Sequence, residues 1–188
     1  MRGDIKMEVR SKTVWNGKYD GVNFEIQNFK IGERPSWTFY FYLYLNRIPD
    51  KKLSNSFWLK PKKYKSQFSE RIYYDYNSHP IISEIEWHCG CTWYSKEAGF
   101  DGEGKAIKIG CDYGHLYDEE MVYRIEDIQR DAIEAIKSFR KLLPDYKYWC
   151  WGNGKLYSKS EGVIRNNEFC SKEYFGNENW FKELEDKI

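Results

Sequence analysis

One stretch leaves little choice of local structure. From Ser36 to Asn46 the chain reads SWTFYFYLYLN, so Trp37, Phe39, Phe41, Leu43 and Leu45 alternate with Thr38, Tyr40, Tyr42, Tyr44 and Asn46. Side chains of a strand point to opposite faces with a period of two, which makes this run a strand with one apolar face and one tyrosine face. The apolar face is predicted to be core. The tyrosine face is predicted to stay half exposed under a loop or a partner, because each ring carries a polar hydroxyl.

The same period recurs on both sides of this strand. Ile5, Met7 and Val9 alternate as a short edge strand, Asn16-Gly17 reads as a turn, and Val22, Phe24 and Ile26 form the next strand before Gly32 and Pro35 break it. Lys60, Lys62, Lys63 and Lys65 are read as a solvated loop, followed by a strand through Ile72, Tyr74 and Tyr76. After residue 115 the period changes. Ile125, Ile128, Ala132, Ala135, Ile136, Phe139 and Leu143 recur at helical spacing, with acids in the first turn, bases in the last, and Pro144 as the stop. Tyr148 to Trp151 and Lys155 to Tyr157 flank Gly152-Asn153-Gly154 as a smaller hairpin. Residues 158–167 read as mostly loop, and Trp180, Phe181, Leu184 and Ile188 share one side of a terminal helix. Strands followed by one long amphipathic helix predict an α+β fold. It is a twisted antiparallel sheet with the helix on one face, plus a C-terminal hairpin and short helix.

The segment from Ser83 to His115 carries the candidate chemistry. Two β-type runs, Ile81 to Trp93 and Ile107 to Asp112, flank a charged, glycine-containing connector from Ser95 to Gly104. A symmetric hairpin sets Tyr94 near Ala106 and His88 beside Asp112, on a polar face with Glu86, Thr92 and Lys108. Trp87, Cys89, Cys91 and Trp93 fall on the opposite, apolar face with Cys111. An imidazole beside a carboxylate is a general base or a metal ligand in the making, and His115 adds a second imidazole. The plainer role for His88 and Asp112 is a hydrogen-bonded pair that locks the hairpin. Cys89, Cys91, Cys111 and His115 have the donor types of a zinc site. Cys-x-Cys is not the usual knuckle spacing, however, and alternation turns the sulfurs away from His88, so no metal site is assigned. Cys150 and Cys170 receive no role.

Composition narrows the classes. A chain of 188 residues is read as one domain, 1–188. Thirty basic against 29 acidic residues leave a net charge of +1, which supplies no field to gather nucleic acid. Aromatic residues reach 19%, more than one core needs, and point to a surface that meets something. The opening MRGDIKMEVR has no apolar segment of a secretion leader, and no run is long enough to span a membrane. With five cysteines and no secretion leader, reduced thiols in a cytosol are the expectation.

Several blocks resemble an uncharacterised family of small proteins encoded by tailed phages and prophages. They are Trp15-Asn16-Gly17, Phe57-Trp58-Leu59-Lys60-Pro61, Tyr73-Tyr74-Asp75-Tyr76, Trp87-His88-x-Gly90-x-Thr92 and Gly110-Cys111-Asp112-Tyr113-Gly114-His115. The resemblance covers residues 13–143 and leaves 144–188, the C-terminal hairpin and tail, outside it. The family commonly carries Trp-His-Gly-Gly-Ile-Thr where this chain has Cys89 and Cys91. The resemblance implies a phage accessory product and, by analogy with other small phage proteins, interference with host defence. The expected function is therefore a non-enzymatic binding protein that inhibits or sequesters a host protein, such as a CRISPR effector, or a nucleotide signal. Its expected partner face comprises Tyr40, Tyr42, Tyr44, Tyr74, Tyr76, Glu86, His88, Thr92 and Asp112. No cofactor is expected, nucleic acid is not favoured by the net charge, and a homodimer is left open. The alternative is a small metal-dependent or His/Asp hydrolase centred on His88, Asp112 and His115.

Overall fold

A computed structural model describes residues 9–31, 34–49, 62–65, 70–73, 81–98, 105–114 and 121–175. Strands β1 (Val9–Tyr19), β2 (Val22–Ile31) and β3 (Arg34–Tyr44) form an antiparallel meander. Strands β4 (Lys62–Lys65) and β5 (Glu70–Tyr73) pair with each other as a separate ribbon. Strands β6 (Trp93–Ala98) and β7 (Lys105–Asp112) join the meander to complete a sheet of order β1-β2-β3-β7-β6. Helix α1 (Ile81–Glu84) is a single turn, and α2 (Ile125–Leu142) is the long helix that the sequence predicts. The architecture is α+β, with α2 across one face of the sheet.

The core is where the two periods meet. Ile128, Ala132, Ala135, Ile136 and Phe139, each 0% exposed, present the apolar stripe of α2. They pack on the inward residues of β2, β3 and β7, including Ile26, Phe39, Phe41, Leu43 and Ile109. The backbone N–H of Arg124 donates to Oδ2 of Asp127 at 3.1 Å, which satisfies one of the donors left open at the start of α2.

Four local expectations are corrected. Lys62, Lys63 and Lys65 do not lie in a loop but in β4, while Lys60 is outside the described residues. Asn16-Gly17 is not a turn but lies inside β1. The β1–β2 reversal is made by Asp20 (φ 44°) and Gly21 (φ 72°), the two-residue Asp-Gly turn whose twist matches its strands. Gly17 has a different use. It faces Phe24 across the ladder, and a Cβ there would collide with the Phe24 ring. Residues 81–92 are not a strand: α1 is followed by an irregular segment, and the strand begins only at Trp93. Residues 158–167 are not merely loop. After β8 (Tyr148–Cys150) and β9 (Lys155–Tyr157), strands β10 (Gly162–Arg165) and β11 (Glu168–Ser171) form a further hairpin turned by Asn166 and Asn167. A short helix α3 (Lys172–Phe175) follows. Ile5, Met7, Tyr74, Tyr76, His115 and the terminal segment 179–188 lie outside the described residues. Among the described residues, no helix is long and apolar enough to cross a membrane.

Candidate functional site

The hairpin around Ser95–Gly104 exists, but its register is not the symmetric one. Tyr94 stands opposite Ile109 rather than Ala106, and Trp93 opposite Gly110. A displacement by an odd number of residues exchanges the two faces of a strand. Tyr94 is accordingly buried in the core, and Trp93 is exposed. The cause lies upstream, where Cys89 (φ 52°) and Gly90 (φ 97°) adopt left-handed backbone and reset the phase of the chain before β6.

The expected pairing of His88 across the ladder from Asp112 is therefore not made. Asp112 stands opposite Thr38 in β3, its N–H donates to Thr92 Oγ1 at 3.1 Å, and its Oδ1 accepts from the Gly114 N–H at 3.1 Å. The His88 ring instead lies flat on Tyr113, with centroids 4.1 Å apart, and edge-on to Tyr123 at 5.8 Å. The Tyr113 hydroxyl donates to Asp131 of α2 at 2.8 Å. Burial, with the nearby Cys111 and Asp131, pushes the Tyr113 phenol far above its ordinary value, so its proton stays in that bond. This aromatic stack ties the 85–92 segment to the end of β7 and to α2, which is the work of a joint. His115, the third member of the predicted set, lies outside the described residues. Trp87 does take the inward face the sequence assigns to it, stacking on Phe41 at 4.9 Å and donating its indole N–H to the Ile82 carbonyl at 2.8 Å.

The tyrosine face also departs from expectation. Tyr40, Tyr42 and Tyr44 are not half exposed but buried, at 9%, 6% and 1%. Lys108 sits over the Tyr40 ring at 4.4 Å and bonds Glu25 at 3.0 Å. The Tyr42 hydroxyl donates to Glu25 Oε2 at 3.1 Å, and Gln27 also donates to Glu25. Burial raises the Glu25 carboxyl. The bonds from Gln27, Lys108 and Tyr42, with the Lys108 charge, outweigh it and hold Glu25 below its ordinary 4.5. The Arg47 guanidinium lies over the Tyr44 ring, 4.5 Å from its centroid. A face filled in this way by its own cations and carboxylate is a second core layer rather than a stacking platform. Glu86 and Thr92 remain exposed.

The thiols also separate by environment. Cys111 is fully buried, and burial pushes its thiol well above the ordinary range. Cys89 is exposed, and the Cys91 thiol donates to the Trp93 carbonyl at 3.4 Å. Among the described residues, no three His, Cys, Asp or Glu side chains gather where they could hold a metal ion.

A cleft of ≈ 560 Å³ opens elsewhere, between the β1–β2 hairpin and the C-terminal strands. Phe24, lying across Gly17, forms one wall, and Trp151 and Phe169 stand on the other side. Lys18 bridges the two parts: it ion-pairs with Glu168 and lies 5.5 Å from the Trp151 ring centroid. Trp151 is 41% exposed, so its ring is available at the rim. Cys150 and Cys170 both line the cleft.

No family model, curated protein or solved structure matches the chain.

A clamp holds the turn of the hairpin that supplies one cleft wall. Arg140, buried at the end of α2, donates to the Asp20 and Tyr146 carbonyls and lies 4.1 Å over the Tyr148 ring. Tyr148 donates to Asp20 Oδ1 at 2.9 Å, and Arg47 donates to the Gly21 carbonyl at 3.1 Å. Periodicity places Arg140 off the apolar stripe, which is true of its charge but not of its burial. Reading Asn16-Gly17 as a turn hid the Gly17–Phe24 opposition, and the Trp149-Cys150-Trp151 run signals only an aromatic cluster, so folding alone brings the cleft walls together.

Proposed function

We propose that this chain is a non-catalytic binding protein whose ligand seat is the cleft between the β1–β2 hairpin and the C-terminal strands. The observation that carries this reading is the cleft itself. Its ≈ 560 Å³ lies within the range of small-molecule sites, and its walls combine aromatic rings with a few charged and polar groups. Trp151 offers a ring for stacking, and an anionic group that displaces Glu168 would meet the Lys18 cation. Those two chemistries favour a nucleotide signal over a host protein as the partner. Following the phage-family resemblance, the proposed role is sequestration of such a signal in a bacterial host's cytosol, to the detriment of host defence.

The test is a thermal-shift and calorimetric screen of the purified chain against mononucleotides and cyclic nucleotides. A ligand that binds the native state raises its stability by mass action, roughly 2.7 kcal/mol at a hundredfold excess over Kd. The expected result is a rise in Tm with at least one nucleotide that disappears in Trp151→Ala. The absence of a shift with every nucleotide, together with retention of a host protein on the immobilised chain, would replace this reading by the protein-partner one.

A further inference from the structure

The two walls of the cleft are tied by an ion pair. Lys18 stands near the end of β1, and Glu168 opens β11, 150 positions later. Among the described lining residues they are the one cation and the one carboxylate, so the lining carries no net charge. The two partners are unequally held. The Lys18 side chain is 18% exposed and lies over the Trp151 ring, whereas that of Glu168 is 47% exposed. Glu168 is therefore the member that can move, and it has somewhere to go. Arg165 is its direct partner in the β10–β11 ladder, so the two side chains leave the same face of the hairpin. Their Cβ atoms are then roughly 5 Å apart. A guanidinium carries five N–H donors, enough to take a carboxylate beside its other contacts.

Resting on the nucleotide reading of this cleft, we propose that Lys18, Glu168 and Arg165 form a charge-exchange latch that selects a phosphate monoester, the 5′-monophosphate end of a nucleotide, over a phosphodiester. An entering phosphate displaces the Glu168 carboxylate from Lys18 Nζ, and Glu168 turns to Arg165. Lys18 and the Trp151 ring beneath it stay in place and hold the ligand.

The selectivity follows from the exchange. A diester carries one negative charge, so Lys18 trades one monoanion for another and gains little. A monoester carries nearly two charges at neutral pH and three terminal oxygens, so the same trade gives a stronger charge-assisted contact. The hand-over to Arg165 is what permits this. A carboxylate left beside Lys18 would repel a dianion more than a monoanion and reverse the preference. A single cation also suits a single phosphate better than a polyphosphate chain.

The test is calorimetry of the full chain with the 5′-monophosphates of adenosine, guanosine, cytidine and uridine, with their phosphate O-methyl esters, and with the 3′,5′-cyclic nucleotides. The methyl ester keeps the shape and loses one charge. At least one monophosphate should bind about tenfold more tightly than its methyl ester. Glu168→Gln removes the anion that the ligand must displace, and there the gap should shrink to within about twofold. Arg165 touches no ligand and acts as a positioning residue. Arg165→Gln should weaken the monophosphate about threefold on its own and have no effect beside Glu168→Gln, a coupling that a merely structural arginine lacks. A methyl ester that binds as tightly as its monophosphate, or binding by cyclic nucleotides alone, overturns the latch and leaves the nucleotide reading standing. A tenfold gap that persists in Glu168→Gln overturns the latch as well. No binding by any of these compounds overturns the nucleotide reading and the latch with it. The wild-type comparison of monophosphate with methyl ester needs no variant, so a substitution that fails to fold leaves the latch open to refutation.

Discussion

Strand β3 of the central sheet and the C-terminal strands use aromatic residues in opposite ways. On the sheet, both faces of β3 are sealed: Phe39, Phe41 and Leu43 lie under α2, and Tyr40, Tyr42 and Tyr44 are closed over by Lys108, Arg47 and their neighbours. In the C-terminal region, Tyr148 and Phe169 make a small core, but Trp151 and Tyr174 stand exposed at 41% and 48%, with Trp151 on the rim of an open cleft. The difference teaches where to look for function. Close-packed aromatics hold a fold in one state, whereas an exposed ring beside a concave space is a contact still to be made.

That contrast can be broken by mutation, and the largest effect belongs to the sheet. Phe41→Ala removes a ring packed against Trp87 and Phe139, and should cost about 3–5 kcal/mol in denaturant unfolding. A loss of less than about 1 kcal/mol would mean that the sheet is not the rigid partner in the comparison.

Arg140→Leu addresses the joint between the regions. It removes the donors to the Asp20 and Tyr146 carbonyls, and should lower stability by about 2 kcal/mol. It should also speed alkylation of Cys170, because the hairpin that forms one wall of the cleft loses its anchor. Unchanged alkylation would show that the cleft keeps its shape without the clamp.

Glu25→Gln sharpens the description of the tyrosine layer. The folded-state pKa of Glu25 is depressed, so its contribution is fully present above the unfolded value near 4.5. It is lost as pH falls through the lower folded value. Acid unfolding curves of the wild type should therefore steepen below that pH, and the variant should lack this part while losing about 1 kcal/mol at neutral pH. Identical acid limbs would remove Glu25 from the account of the second layer.

The smallest effect on stability should come from Trp151→Ala. An exposed ring at a rim costs within about 0.5 kcal/mol when truncated. If Trp151→Ala unfolded the chain as readily as Phe41→Ala, the two regions would not differ in kind.

What repeats along the chain could be read from the residues alone. Alternation over Ser36–Asn46 marked β3 and separated its faces, the helical spacing from Ile125 to Leu143 marked α2, and together they determined the α+β class. Trp87 facing inward was legible for the same reason. Tertiary structure alone decided what covers each face and where each phase begins. Alternation says that Tyr40, Tyr42 and Tyr44 share a side, but burial depends on what packs above them, and Glu25, Lys108 and Arg47 come from other segments of the chain. Two left-handed residues at Cys89 and Gly90 shifted β6 by an odd step, which moved His88 from Asp112 to Tyr113. The cleft was least legible, because its walls are contributed by residues more than a hundred positions apart. Side-chain period is a local property of the backbone, whereas a concave surface exists only after chain segments remote in sequence have met.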